Sequence, residues 1–143
     1  METVIRIEPE AWTPALLAEV DSAFGAHAKS DTSRGLMAPA ECVAGGTFCR
    51  VYRDGEPVAW YVLRGHQYAH GTEAEIALAY GGADFDIVAG VLPLIERQCA
   101  AFDAIRIETC RPGLIKKLKR IGYGVEAVTL RKRGNHDSQA VAS

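Results

Sequence analysis

Thr47-Phe48-Cys49-Arg50-Val51-Tyr52-Arg53-Asp54-Gly55-Glu56-Pro57-Val58-Ala59-Trp60-Tyr61-Val62-Leu63 carries the strongest structural signal in the chain. Two runs rich in β-branched and aromatic residues, 47–52 and 58–63, flank Asp54-Gly55, a pair that accepts the positive φ angles of a tight hairpin turn. The segment predicts two antiparallel strands, and the rest of the chain must be arranged around them.

Upstream, Thr3-Val4-Ile5-Arg6-Ile7 reads as a first strand closed by Glu8-Pro9. Thr13 before Pro14 is an N-cap followed by proline at the first helical position, with Trp12 and Leu17 at the two positions of a hydrophobic staple. Leu16, Leu17, Val20 and Phe24 recur at helical spacing, and Gly25 is the expected stop. Residues 25–46 are interrupted by Ser, Thr, Gly and Pro and read mostly as loop, with a short helix near Pro39-Ala40-Glu41-Cys42.

Downstream, residues 73–80 alternate: Ile76, Leu78 and Tyr80 on one face, Glu73, Glu75, Ala77 and Ala79 on the other. After Gly81-Gly82, Val88, Val91, Leu92, Ile95, Cys99 and Phe102 follow helical spacing, and Pro93 either kinks that helix or marks its start. Ile105, Ile107 and Thr109 form a strand, and Arg111-Pro112 opens a helix with Leu114, Ile115, Leu118 and Ile121 on one stripe. Gly122 stands where a left-handed C-terminal residue belongs. Residues 125–132 read as a final strand and 134–143 as a disordered polar tail, leaving 1–133 as one domain.

The 143 residues are 48% hydrophobic, a balance that supports one globular core. No run of about 18 apolar residues exists, and Met1-Glu2-Thr3-Val4 lacks the layout of a signal peptide, so a cytoplasmic protein without a membrane partner is expected. Cys42, Cys49, Cys99 and Cys110 are spaced 7, 50 and 11 apart, which gives no C-x-x-C knuckle and points to reduced thiols. His66 and His70 are four apart but flanked by Gly65 and Gly71 and lack a third ligand, so no metal is expected. No nucleophile elbow, phosphate-binding P-loop or Cys-His pair is present.

The net charge of −2 hides an asymmetry. Residues 106–133 hold nine Lys or Arg against Glu108 and Glu126, a net +7. Lys116, Lys117, Lys119 and Arg120 admit three readings: a solvated helix face, a contact for a polyanion such as a DNA backbone or an acidic partner, or a grip on the 3′-phosphoadenosine end of a CoA.

The order strand, helix, hairpin, strand, helix, strand, helix, strand, taken with the 54–60 hairpin and Leu118-Lys119-Arg120-Ile121-Gly122-Tyr123, resembles the GNAT acyltransferase family over residues 3–132. The resemblance implies an α/β (α+β) fold with a mixed, largely antiparallel sheet flanked by helices. In that family acyl-CoA lies along the fourth strand, and backbone N–H groups of a Q/R-x-x-G-x-G/A loop hold its pyrophosphate. Residues 80–90 keep glycines but not the basic residue or the spacing, and Asp84 and Asp86 stand where a phosphate needs positive potential. Either aspartate can cap the next helix instead. If CoA binds, the resemblance assigns Leu78, Tyr80, Gly81 and Gly82 to it.

The family's general acid, a tyrosine four residues before the Gly-aromatic step, corresponds to Leu118, which has no proton to give, and Tyr123 reads as core. Glu75, and after it Glu73, are the candidate general bases, on the expectation that partial burial raises a glutamate pKa; a solvated strand face is the plainer reading of both. Arg111-Pro112-Gly113-Leu114-Ile115-Lys116-Lys117-Leu118 also looks like small GNAT-like proteins of tailed phages. The missing loop and acid favour a protein that has lost acyl transfer and serves as a phage-type accessory or virion structural component, in host cytoplasm or virion, with a protein partner, a second copy or DNA as its contact. The alternative is an acetyl-CoA-dependent N-acetyltransferase with a divergent pyrophosphate loop. A sheet splayed between the fourth and fifth strands favours the enzyme, and a closed one favours the structural role.

Overall fold

A computed structural model describes residues 3–25, 43–81, 86–109, 111–132 and 134, without the side chains of Phe24 and Gly25. The short helix near residue 40, Gly82, Asp84, Cys42, Cys110 and the 135–143 tail lie outside the described residues.

Asp54 (φ 51) and Gly55 (φ 85) are both left-handed, the geometry that lets a two-residue turn follow the twist of its strands. β2 (Thr47–Arg53) and β3 (Glu56–Tyr68) pair antiparallel across this turn. β1 (Ile5–Glu10) pairs antiparallel with β2, and Val4 and Asp54 exchange hydrogen bonds that fix its start. β3 runs five residues beyond its expected end and meets β4 (Gly71–Gly81) through a two-residue turn, Ala69-His70. β5 (Ala104–Ile107) is parallel to β4, giving the order β1-β2-β3-β4-β5. The result is a mixed α/β fold with a mostly antiparallel sheet between helices.

α1 (Pro14–Gly25) begins as the sequence predicts, with Thr13 Oγ1 accepting from the Leu16 N–H at 3.1 Å. The staple differs: Leu17 stays 39% exposed, while Trp12 turns inward and donates Nε1–H to the Gly46 carbonyl at 2.8 Å. Leu16 and Val20 bury against Phe48, Trp60, Val62 and Leu78 on one sheet face. Arg50 fastens α1 to β2, its guanidinium reaching both carboxylate oxygens of Glu19 at 2.8 and 2.9 Å.

The other face carries three helices. Residues expected to form one helix make α2 (Ile87–Gly90) and α3 (Leu92–Gln98), broken at Val91, with Pro93 in the first turn of α3. Val91, Leu92, Ile95 and Cys99 pack on Cys49, Val51, Tyr61, Ala74 and Ile76, and Leu118 of α4 (Pro112–Arg120) joins them. Gly122 (φ 102) ends α4 in a Schellman motif: Tyr123 N–H donates to the Leu118 carbonyl at 3.1 Å and Gly122 N–H to that of Lys119 at 3.4 Å. The Gly-aromatic step is therefore a helix stop, and Tyr123 packs on the core as expected.

The expected final strand is not formed. Residues 124–132 adopt no regular structure, with Val125, Val128 and Leu130 57, 76 and 90% exposed. Alternation supplies a pleated pattern, but the ladder that stabilises a strand needs a partner, and the ordered sheet stops at β5. Among the described residues no helix is long and apolar enough to cross a membrane.

Candidate active site

β4 carries one residue more than its partner. Val62 pairs with Leu78 but Leu63 pairs with Ile76, so Ala77 is a β-bulge. An extra residue reverses the alternation beyond it. Ile76 accordingly faces α3 and α4, whereas Ala77, Leu78 and Tyr80 all pack on the α1 side. This corrects the expected division: Glu73 and Glu75 share a face with Leu78 and Tyr80, not with Ala79 against them.

The bulge sits where β4 and β5 part. Asp103 Oδ2 accepts from the Thr72 N–H at 2.8 Å, and the Asp103 N–H donates to the Thr72 carbonyl at 3.1 Å, pinning the two strands at their starts. The parallel pairing runs from Glu73 with Ala104 to Ile76 with Ile107. β4 then continues five residues, Ala77 to Gly81, past the end of β5. That stretch of the β4 edge therefore has no β5 partner.

Beside this edge, the α1 face changes from apolar to charged along β3 and β4. Phe48, Trp60 and Tyr80 stack across three strands at 5.3 and 5.8 Å, with the edge of Trp12 on Phe48 at 5.7 Å. Leu78 and Tyr80 thus direct their side chains into this packing, so a ligand lying along β4 meets backbone there.

Further along lie Arg64, His66 and Tyr68 of β3, Glu73 and Glu75 of β4, and Arg106 of β5. Glu75 is 7% exposed and is met by three side chains: Arg64 Nη2 at 2.9 Å and His66 Nε2 at 2.8 Å on Oε1, and Arg106 Nη2 at 3.2 Å on Oε2. Burial pushes its carboxyl up, but the His66 hydrogen bond and the two guanidinium groups together outweigh burial and hold it below its ordinary value. The expectation of a raised pKa at Glu75 is reversed, because the sequence did not place two guanidinium groups and a histidine hydrogen bond around it. Glu73 pairs with Arg106 at 3.4 Å and accepts from the Tyr68 hydroxyl at 3.2 Å.

Asp86 caps α2, its Oδ1 accepting from Val88 N–H at 3.0 Å and Ala89 N–H at 3.3 Å. The Ala89 amide, Lys117 Nζ at 3.3 Å from Oδ2, and the Val88 amide hold its carboxyl below the ordinary value. Lys116, Lys119 and Arg120 stand exposed on α4, and Leu118 is buried beneath them. The buried thiols of Cys49 and Cys99 are free, and burial pushes both up in pKa.

Sequence reasoning missed Arg64, weighed His66 only as a metal ligand, and assigned Arg106 only to the basic block. Part of the signal was present, since Arg64, His66 and Tyr68 continue the period of Trp60 and Val62, but the two-residue turn at Ala69-His70 that returns Glu73 and Glu75 opposite them was not announced.

Solved structures share the fold of this chain. A possible acetyltransferase from Clostridium difficile 630 superposes with a TM-score of 0.63 at 12% identity, covering 92% of this chain and 99% of its own. A ribosomal-protein-alanine N-acetyltransferase from Brucella melitensis biovar Abortus 2308 gives 0.61 at 13%, covering 91% and 99%. The fold is GNAT-like. A transcriptional regulator from Bacillus halodurans C-125 also gives 0.61 at 12%, covering 92% and 100%, so the GNAT-like scaffold by itself does not fix an activity. No family model matches the chain, and no curated protein matches it in sequence.

Proposed function

We propose that the chain is an acyl-CoA-dependent N-acyltransferase whose grip on the CoA phosphates diverges from that of its fold relatives. One observation carries this reading: β4 bulges at Ala77 and outruns β5 by five residues, which opens a strand edge beside the charged cluster. An extended amide chain such as the pantetheine arm of CoA is suited to a strand edge, because main-chain donors and acceptors repeat along both. Backbone of Leu78, Tyr80 and Gly81 would hold that arm, and the bound thioester would supply the activated acyl carbon. The acetyltransferases among the similar structures support the same reading.

The phosphate end fits less well. Asp86 takes the amides that an incoming phosphate would need, and Lys117 beside it is the nearest compensating charge. Replacing Asp86 with asparagine keeps a good cap while removing one negative charge. Acetyl-CoA affinity is expected to rise about fivefold at low salt, roughly 1 kcal/mol, with the gain shrinking as salt is added. Titration calorimetry of both proteins at two ionic strengths measures it.

The cap also favours a second reading: a GNAT-like protein without transfer, acting as an accessory or virion component through a partner or polyanion on the exposed Lys116, Lys119 and Arg120. Calorimetry of the parent chain with acetyl-CoA separates the two. Micromolar binding is expected, and the absence of heat at millimolar acetyl-CoA would reject the enzyme reading in favour of the second.

A further inference from the structure

Glu75 is the buried anchor of the charged cluster, and its geometry points to the neighbouring ring as the group that handles protons. We infer that His66 accepts the proton of the incoming amine through Nδ1, with Glu75 as its positioning residue; this rests on the acyl-transfer reading above.

Glu75 lies two residues before the bulge, on the face shared with Leu78 and Tyr80, and its side chain is 9% exposed between Arg64 and Arg106. A carboxylate paired with two guanidinium groups stays ionised and only accepts hydrogen bonds. His66 Nε2, 2.8 Å from Oε1, must therefore carry its hydrogen and donate it. In the neutral ring the other nitrogen, Nδ1, is then left with a lone pair, which is the arrangement a general base requires.

The ring is also held and reachable. It stacks on Tyr68 with centroids 6.1 Å apart and planes 7° from parallel, and its side chain is 30% exposed. The groups facing it are Arg64 and Tyr68 from β3, Glu73 and Glu75 from β4, and Arg106 from β5. Glu75 itself is a poor base, because every contact around it favours the ionised form. Glu73 shares its charge between Arg106 and the Tyr68 hydroxyl.

The step balances without a further reactant. The amine nitrogen attacks the thioester carbonyl carbon, a C–N bond forms, and its surplus proton moves to His66 Nδ1. The C–S bond breaks and the CoA thiolate leaves. Leu118 has no proton to supply, so the thiolate takes one from solvent, and His66 returns its own to solvent before the next turnover. The products are an amide and free CoA thiol.

Two measurements on the full chain test the assignment. With acetyl-CoA and a panel of small primary amines, H66Q should bind acetyl-CoA as the parent does by calorimetry. It should release thiol at least about 10²-fold more slowly and lose the acid limb of the pH–rate profile. An H66Q protein that keeps both the rate and the limb overturns the role of His66 and leaves the acyl-transfer reading intact. A parent chain that binds no acetyl-CoA removes that reading, and this inference with it.

The second measurement needs no acceptor. Nitrogen-15 spectra of the histidine-labelled parent at a pH where His66 is neutral should show the Nε2–H tautomer, and E75Q should weaken that preference. An Nδ1–H tautomer in the parent overturns the inference.

Discussion

Phe48→Ala is expected to lower the unfolding free energy by about 3–5 kcal/mol, the range for deleting a buried phenylalanine from a packed core. Phe48 has no exposed surface, and it joins the edge of Trp12 to the face of Trp60. Alanine leaves a cavity that these large rings cannot collapse into without losing their contacts with Val20 and Val62 in the same cluster. Phe48→Leu keeps most of the volume and should cost less than half as much. Urea denaturation followed by tryptophan fluorescence reads both. Since Trp60 in turn stacks on Tyr80 at the end of β4, the alanine variant should also weaken acetyl-CoA binding. A loss below about 1 kcal/mol would mean that this aromatic series is not a rigid core.

Glu75→Leu is the second large effect. It leaves Arg64, Arg106 and His66 facing a side chain that can accept nothing. Removing one member of a fully buried ion pair costs about 3–5 kcal/mol. Arg64 and Arg106 are 25 and 43% exposed and reach water, so about 1–3 kcal/mol is the expected loss here.

The same network gives stability a pH dependence of defined sign. The folded Glu75 carboxyl titrates below its ordinary value of 4.5, so the unfolded chain binds more protons at that site as acid is added. The contribution is fully present above about pH 4.5 and is lost as pH falls through the lower folded value. Asp86 and Glu19 are shifted in the same direction and contribute to the same acid limb. Melting temperatures should therefore change little on this account between pH 6 and 8 and fall below pH 4.5, and E75Q should flatten part of that fall. Equal acid sensitivity in the parent and E75Q would show that Glu75 is not held ionised by its neighbours.

Much of the fold was legible where the chemistry is local. Asp54-Gly55 forced a turn, Thr13-Pro14 a helix start and Gly122 a helix stop, because each depends on its own φ angle or on an amide three residues away. The turn at Ala69-His70 had no comparable signal: among the described residues, Asp54 is the non-glycine residue with positive φ. The bulge was hidden because Ala77 and Ala79 are both small, so that periodicity alone could not show which residue was extra. Residues 125–132 misled in the opposite way, offering a strand pattern without a pairing edge in the ordered sheet.

The candidate site was half legible. Glu73 and Glu75 were identified from their strand, but the state of Glu75 depends on Arg64, His66 and Arg106, which lie 11, 9 and 31 positions away. Their arrival is a property of strand register, and register followed from a turn and a bulge that the sequence did not announce. Asp86 was easier to assign, since a cap is read within three residues.

The bulge has a genetic corollary. An in-frame deletion of the codon for Ala77 would remove only the extra residue, so strict alternation would return with Leu78 and Tyr80 still facing Trp60. Loss of the regularly paired Ala79 would instead turn Tyr80 away from Trp60 in one event, so descendants that retain the face should tolerate a strand shortened at position 77 but not at position 79.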